Sequence, residues 1–257
     1  ISGGLNADGS TALAIQFNGT GNALTMFAGS DITGGIDLAA GAQARVFAQD
    51  LDITLDNAIT LGTGSVLTGD MDGADGLQFS GPISGNGALS VTGSGTLTLS
   101  GTNTYTGGTS IDSGATLQIG DGGTTGSIVG NVHNQGTLAF DRIDTVSLGG
   151  VIDGSGDLEQ NGSGTLVLSG VNTYTGSTTI NTGTLALSGA GSIAASSGVA
   201  VNGTFDISST NSGASVQAIS GAGNVLLGSK TLTLTNASGS FDGLLSGSGG
   251  LSIAGGS

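Results

Sequence analysis

An 18-residue segment that occurs twice constrains the fold of this chain more than any other feature of its sequence. Residues Ser94–Ile111 recur as Ser163–Ile180, with 14 of the 18 positions identical. Each copy places Leu-x-Leu before a Ser-Gly pair and the sequence Asn-Thr-Tyr-Thr-Gly after it. Such repeats predict a solenoid, in which each repeat buries its apolar face against the next one.

Short runs of alternating residues extend this pattern along the chain. Leu117–Ile119, Leu185–Leu187 and Leu232–Leu234 each place two aliphatic side chains on one face of a strand. The 53 glycines punctuate these runs, and no helical pattern is evident. We therefore predict an all-β parallel solenoid, with three coils of about 23 residues between the start of one copy and the start of the next. A β-sandwich is the alternative, although it does not explain near-identical blocks so far apart.

The repeated blocks also resemble a known family. Gly95–Thr109, leading to Gly114–Gly120, and Gly164–Leu187 are similar to the passenger-associated transport repeat of bacterial autotransporters, the proteins of type V secretion. The resemblance is clearest over residues 81–189. It implies a right-handed parallel β-helix that a C-terminal translocator exports across the outer membrane. In this family the repeat is thought to assist secretion and folding of the passenger.

The resemblance predicts that residues 1–257 form a single continuous β-helix segment of a larger passenger. Tyr105 and Tyr174 occupy equivalent positions in the two copies, and we interpret them as corner residues with hydrated hydroxyls instead of a ligand-stacking pair. The residues expected to maintain the structural repeat are Leu97, Leu99, Asn103, Tyr105, Leu166, Leu168, Asn172 and Tyr174.

Charge and composition exclude several classes of partner. Three Lys and Arg residues stand against 18 Asp and Glu residues, which gives a net charge of −15. Nucleic acid and anionic lipid surfaces both require a cationic protein face, so neither is an expected partner. No apolar run approaches the roughly 20 residues that span a membrane, so this segment is not expected to insert into one. The absence of cysteine suits an exported chain, and both ends suggest a piece of a longer protein.

Candidate chemistry is sparse. His133 is the only histidine, so a histidine-based triad would have to use it, but its position beside Val132 predicts an exposed outer face. We expect no enzyme and no cofactor. Asp70, Asp72 and Asp75 resemble a calcium loop but lack the acidic residues that an EF-hand needs at its fifth and twelfth positions. Solvated carboxylates are favoured there, and a weak surface calcium site is the alternative.

Threonine is frequent at outward strand positions. Thr231, Thr233 and Thr235 form one such array along a single strand. An ice-binding face would need this pattern in every coil, whereas threonine is also a common residue at exposed strand positions. We therefore interpret these threonines as ordinary surface residues of a β-sheet.

These features predict an extracellular β-helical passenger, or stalk, at the bacterial cell surface or secreted from it. It would act in adhesion or cell–cell aggregation and support its own secretion, with host or bacterial surface molecules or its own copies as partners. One alternative is a spacer scaffold for an N-terminal enzyme domain, whose own motifs would lie outside this segment. Another is a self-assembling extracellular filament, in which exposed end coils stack on the next molecule.

Overall fold

The computed structural model describes residues 12–27, 32–48, 52–71 and 76–256. Regular structure within these ranges consists of β-strands, and no helix there is long and apolar enough to cross a membrane. The chain comprises two compact units. The first contains the described residues up to Asp121 together with Thr125–Gly130, and the second contains Gly122–Thr124 together with the described residues from Asn131.

The first unit contains thirteen of the described strands. They are β1 (Leu13–Phe17), β2 (Asn22–Met26), β3 (Gly35–Leu38), β4 (Gln43–Ala48), β5 (Ile53–Leu55), β6 (Ile59–Leu61), β7 (Val66–Met71), β8 (Gly76–Phe79), β9 (Ile83–Gly85), β10 (Ala88–Gly93), β11 (Thr96–Leu99), β12 (Thr109–Ile111) and β13 (Thr116–Ile119). Their hydrogen-bonded orders are β1-β3-β6-β9, β2-β4-β7-β10-β12 and β5-β8-β11-β13. Consecutive strands therefore belong to three different sheets, as a chain that winds around an axis requires.

The second unit follows the same plan with the other described strands. They are β14 (Val132–Asn134), β15 (Thr137–Phe140), β16 (Thr145–Leu148), β17 (Ile152–Asp153), β18 (Asp157–Gln160), β19 (Thr165–Leu168), β20 (Thr178–Ile180), β21 (Thr184–Gly189), β22 (Val199–Val201), β23 (Thr204–Thr210), β24 (Ala214–Val216), β25 (Ile219–Ser220), β26 (Asn224–Gly228), β27 (Leu232–Leu234), β28 (Leu244–Gly247) and β29 (Leu251–Ile253). Its longest hydrogen-bonded order within one sheet is β16-β19-β21-β23-β26-β28.

Strand pairing confirms the predicted solenoid. The described pairs are parallel, as in β11 with β13 and β19 with β21, which is the arrangement of a parallel β-helix. A β-sandwich, the alternative, pairs its strands antiparallel and is therefore excluded. The prediction that one continuous β-helix extends over residues 1–257 stays a prediction.

The coils are shorter than expected in the repeat region. One coil there leads from Leu97 to its partner Leu117, and another leads from Leu166 to its partner Leu185. Coils of the expected length occur nearer the N-terminus, where Ile36 pairs with Ile59. The prediction of three coils of about 23 residues between the two copies is therefore wrong for this region, where the strands and turns of one coil use fewer residues.

Ladders of aliphatic side chains fill the interior of each unit. Leu97 lies against Leu117 in the first unit and Leu166 against Leu185 in the second, and all four are fully buried. Burying a leucine side chain contributes roughly 1.5–3 kcal/mol, so each coil stabilises its neighbours mainly through these ladders.

Two glycines of the segment Ile152-Asp-Gly-Ser-Gly meet requirements that other residues cannot meet. Gly154 has a φ of 101°, a left-handed conformation that side chains other than glycine rarely adopt. Gly156 lies so close to the preceding coil that a Cβ atom would collide with the carbonyl oxygen of Gly136. Both glycines are therefore needed for close approach between coils, and the first is needed for its backbone conformation as well.

Candidate functional site: repeat corners and outer faces

The Asn-Thr-Tyr-Thr-Gly sequence forms a corner of the β-helix in each unit, which we call the repeat corner (residues 103–109 and 172–178). It connects β11 to β12 in the first unit and β19 to β20 in the second. In the first corner, Asn103 Oδ1 accepts a hydrogen bond from the Ile83 backbone N–H at 2.9 Å, and its Nδ2 donates to the Ser127 carbonyl oxygen at 2.9 Å. The buried amide thus bridges the coils on both sides.

The second corner repeats this arrangement. Asn172 Oδ1 accepts from the Ile152 N–H at 2.9 Å, and Nδ2 donates to the carbonyl oxygens of Gly170 and Ser192, each at 3.1 Å. Asn172 is also buried. Because an unpaired backbone group would be costly in this interior, the asparagine amide takes over hydrogen bonds that a regular strand would otherwise make.

The repeat tyrosines lie inside the β-helix. Tyr105 and Tyr174 are 0% exposed, and their hydroxyls hydrogen-bond to Thr109 Oγ1 at 2.7 Å and Thr178 Oγ1 at 2.6 Å. The expectation of hydrated hydroxyls is therefore wrong, because a threonine of the same corner supplies a partner in the interior. Burial raises the pKa of both phenols, and the hydrogen bonds from threonine lower it only in part.

The two corners also differ in the partners of their threonines. Thr178 Oγ1 also lies 2.9 Å from Ser196 Oγ, and Ser196 donates to the Gly176 carbonyl oxygen at 2.9 Å. The second corner thus contains a buried chain of three hydroxyls that begins at Tyr174. Four leucines of the repeat complete the core beside the corners and are 0% exposed: Leu97, Leu99, Leu166 and Leu168.

His133 lies on the outer face of β14 and is exposed. Its Nδ1 atom is 2.5 Å from Asp153 Oδ1 on the next coil, and its Nε2 atom is 3.0 Å from the Gln135 side-chain nitrogen. The nearby Ser155 hydroxyl donates to Gln135 Oε1 at 2.6 Å. The Ser155 hydroxyl is therefore hydrogen-bonded to a glutamine, and the cluster links adjacent coils on the surface.

Asp70 is engaged by two side chains of neighbouring strands. Its Oδ2 atom lies 2.6 Å from Arg45 Nη2, and its Oδ1 atom accepts a hydrogen bond from Thr92 Oγ1 at 3.0 Å. Asp72 and Asp75, the other members of the predicted calcium group, lie outside the described residues. A calcium site at these three residues stays a hypothesis, with Asp70 already paired to a cation.

An outer face of the second unit presents a row of hydroxyls across successive coils, which we call the threonine row. Thr145, Thr165, Thr184 and Thr204 are direct neighbours in register on β16, β19, β21 and β23. Reading along single strands misses this row, because its members are separated in sequence by a full coil. The recurring signal is a threonine immediately before the first aliphatic or aromatic residue of each strand, and this signal can be recognised once the coil length is known.

The row of residues beside the threonine row carries little charge. Ser147, Val167, Ala186 and Asp206 stand in register two positions after the threonines, with one carboxylate among the four. Neighbouring coils of a parallel sheet are about 4.8 Å apart, so the two rows form a regular surface of small side chains. This surface offers hydrogen-bonding groups at a fixed spacing and little net charge.

Comparison with known proteins agrees with this architecture. The model of the passenger-associated-transport-repeat family matches residues 89–119 and 158–187, which include both repeat corners. An adhesin of Brucella suis biovar 1 (strain 1330), named Adhesin BmaC autotransporter, is 47% identical over 137 residues. That alignment covers 53% of this chain, and the chain spans only 4% of the adhesin's length. No solved structure matches the chain.

The family model and the adhesin agree with each other and with the parallel β-helix. The matched residues carry the buried leucines, the bridging asparagines and the buried tyrosines described above. Together these findings show that the repeat region is similar to autotransporter passengers, as the sequence resemblance predicted, and this similarity indicates a location at the bacterial cell surface or outside the cell.

Proposed function

We propose that this segment acts in extracellular adhesion, contacting surface molecules of host or bacterial cells or other copies of the same passenger. The threonine row on the outer face of the second unit supports this proposal most directly. Hydroxyls in register can make many weak hydrogen bonds at once, so avidity replaces a single deep pocket. The name of the similar protein, an adhesin, supports the same assignment.

The small number of charged residues on this face favours it over the rest of the surface as the binding contact. The chain carries a net charge of −15, so two copies, or a copy and an acidic cell surface, repel each other on average. The threonine row and its neighbouring row contain one carboxylate, Asp206, in eight positions. Burying this face therefore costs less desolvation of charge than burying a typical acidic face of the chain.

A non-enzymatic role follows from the same proposal. His133 is hydrogen-bonded to Asp153 of the next coil and lies near Gln135 of its own coil, so its contact with Asp153 links neighbouring coils on the surface. We therefore assign this segment to binding and to structural support. The alternative is that it is a spacer for an enzyme domain elsewhere in the passenger, and the adhesion experiment distinguishes these two roles.

The repeat corners carry the second part of the proposal, which is support of secretion. Each corner links a coil to both neighbours through one buried asparagine, so a corner becomes stable as soon as the adjacent coils are present. We expect Asn103→Ala and Asn172→Ala to lower the amount of passenger on the cell surface. Asn131→Ala, which removes an exposed asparagine of the second unit, serves as the control. Equal surface amounts in all three variants would contradict this part.

The adhesion test displays the full passenger on a bacterium that does not otherwise adhere. Thr165→Glu with Thr184→Glu places two carboxylates on adjacent coils of the threonine row. Thr179→Glu with Ala200→Glu makes the same change on another outer face of the same unit. We expect the first pair to abolish most adherence and the second pair to retain it, at equal surface amounts measured with an antibody.

Two outcomes would overturn the adhesion proposal. One is adherence that is equal in the two double variants, and the other is adherence that persists when this segment is deleted from a passenger that still reaches the surface. The second outcome would favour the spacer alternative, since adherence or catalysis would then belong to another part of the passenger.

A further inference from the structure

A polar groove on the second unit has features that the threonine row lacks. It encloses a cavity of about 430 Å³ beside β24. Ser215 and Thr233, which are neighbours in register and point outward, form its floor. Residues 189–192 form one wall and residues 211–213 the other. This volume lies in the range of small-ligand sites, roughly 300–1,000 Å³.

The groove lies beside β24, a strand at the edge of its sheet. This strand pairs with β27 on one side and is the edge of the sheet β24-β27-β29. The Ala214 N–H donates to the Thr231 carbonyl oxygen at 3.0 Å, and the Val216 carbonyl accepts from the Thr235 N–H at 3.0 Å. Because backbone groups alternate in direction along a strand, the N–H and C=O of Ser215, between these two residues, point away from β27.

The lining of the groove is polar and carries no carboxylate. It contains the side chains of Ser192, Asn211, Ser212, Ser215, Thr231 and Thr233 among glycines and alanines. The sequence from Asp206 to Asp242 contains no acidic residue between these two positions, although the chain has 18 acidic residues in all. The groove is thus in one of the least negative regions of an acidic protein.

Lys230 supplies positive charge at the rim. Its Nζ atom donates to the carbonyl oxygen of Asn211, a wall residue, at 3.1 Å. Among the described residues the ion pairs with a carboxylate involve Arg45, Arg142 and His133, and none involves Lys230. Its charge is therefore not neutralised by the protein, and it can pair with an anionic group of a ligand in the groove.

We propose that this groove binds a saccharide that carries a carboxylate, such as a uronic or sialic acid unit. The inference rests on the proposed adhesive function and names the class of ligand. Lys230 pairs with the carboxylate of the sugar, while Ser215, Thr231 and Thr233 exchange hydrogen bonds with its hydroxyls. The groove lacks an aromatic or large aliphatic wall, so an apolar ligand gains little there.

The direct test measures binding of the purified 257-residue chain to a galacturonic acid trisaccharide, with the uncharged galactose trisaccharide as the matched ligand. We expect the acidic trisaccharide to bind more tightly. Lys230→Gln, which keeps a polar side chain of similar length, should weaken its binding by about tenfold, the usual value of one charge-assisted hydrogen bond. Binding of the galactose trisaccharide should change little in that variant.

Two further variants separate the groove from the rest of the surface. Thr233→Val removes a floor hydroxyl with little change of shape and should weaken binding of the acidic trisaccharide. Thr179→Val makes the same change on another outer face and should leave binding unchanged. Equal affinity for the acidic and uncharged trisaccharides, an unaffected Lys230→Gln variant, or tighter binding of a sulfated trisaccharide would each overturn the inference.

Failure of this inference can be told apart from failure of the adhesive function. Cells that display the passenger and still adhere, while the purified chain binds no acidic trisaccharide, would refute the ligand class and leave adhesion intact. Cells that fail to adhere, while the purified chain binds the acidic trisaccharide through Lys230, would refute the adhesive function and leave the groove as a binding site.

Discussion

Raising the pH above the ordinary pKa of tyrosine should lower the free energy of unfolding of this protein, and the two repeat tyrosines should cause most of the effect. Tyr105 and Tyr174 are the only tyrosines in the chain, and both are 0% exposed. Burial raises the pKa of each phenol well above its ordinary value of about 10. The folded protein therefore keeps both phenols protonated at pH values at which an unfolded chain ionises them.

The free energy of unfolding should depend on pH because the folded and unfolded states ionise their phenols at different pH values. Below pH about 10 the phenols are neutral in both states, and their contribution to stability is complete. Above that pH the unfolded state releases protons that the folded state retains, so the free energy of unfolding falls by about 1.4 kcal/mol per pH unit for each phenol. The loss continues until the pH reaches the raised pKa of the folded state.

Each compact unit contains one of the two tyrosines. If the units unfold in a single transition, the slope should be about twice that of one phenol, or about 2.8 kcal/mol per pH unit. If they unfold separately, each transition should show the slope of one phenol. The measured slope therefore also reports on how the units unfold.

Urea titrations followed by circular dichroism between about pH 8 and 12 measure the slope across the ordinary tyrosine pKa. Near-ultraviolet absorbance reports ionisation of these two phenols directly, because the chain has no tryptophan. The control is the double variant Tyr105→Phe with Tyr174→Phe, which should be less stable but should lose most of the alkaline slope. Phenolate absorbance that rises at the ordinary tyrosine pKa in a protein that stays folded would refute the reasoning, as would an unchanged slope in the control.

Three further predictions concern the core, a close approach between coils and the surface. Leu166→Asp should prevent the second unit from folding, because an unpaired charge in the core costs several kcal/mol, and an unchanged thermal transition would contradict this. Gly176→Ala should lower the free energy of unfolding by about 1–3 kcal/mol because its Cβ would collide with the backbone of the preceding coil, whereas Gly149→Ala, whose Cβ would lie 3.5 Å from its nearest neighbour, should change it little. His133→Ala should shift the thermal transition hardly at all and leave adherence intact, and a large loss of adherence would show a functional role for this exposed side chain.

The repeat and the alternating runs were sufficient to predict the class of fold. Alternation in Leu97–Leu99 and Leu166–Leu168 places both ends of each run in the core, and all four leucines are buried there. The coil length could not be predicted in the same way. Two identical blocks reveal only the number of residues between them. The number of residues in one coil depends also on the turns, whose length varies from coil to coil.

The interior partners of the tyrosines were not predictable from strand alternation. Alternation continues through the first part of the corner, where Asn103 and Tyr105 are buried, but it breaks at residues 107–108, just before the partner Thr109. The threonine row and the groove beside β24 were missed for a related reason. Both depend on register between residues on successive coils, which sequence periodicity within one strand does not contain.

The spacing of strand partners has a consequence for how such a chain acquires structure. Partners such as Leu138 with Leu158 or Val225 with Leu245 are one coil apart, so the sequence distance between contacting residues stays nearly constant however long the polypeptide becomes. The entropy needed to close each contact is then the same at every step, and folding speed does not fall with total length as it does in proteins with distant pairings. A polypeptide that emerges end first can therefore order itself in small increments, each one templated on the last.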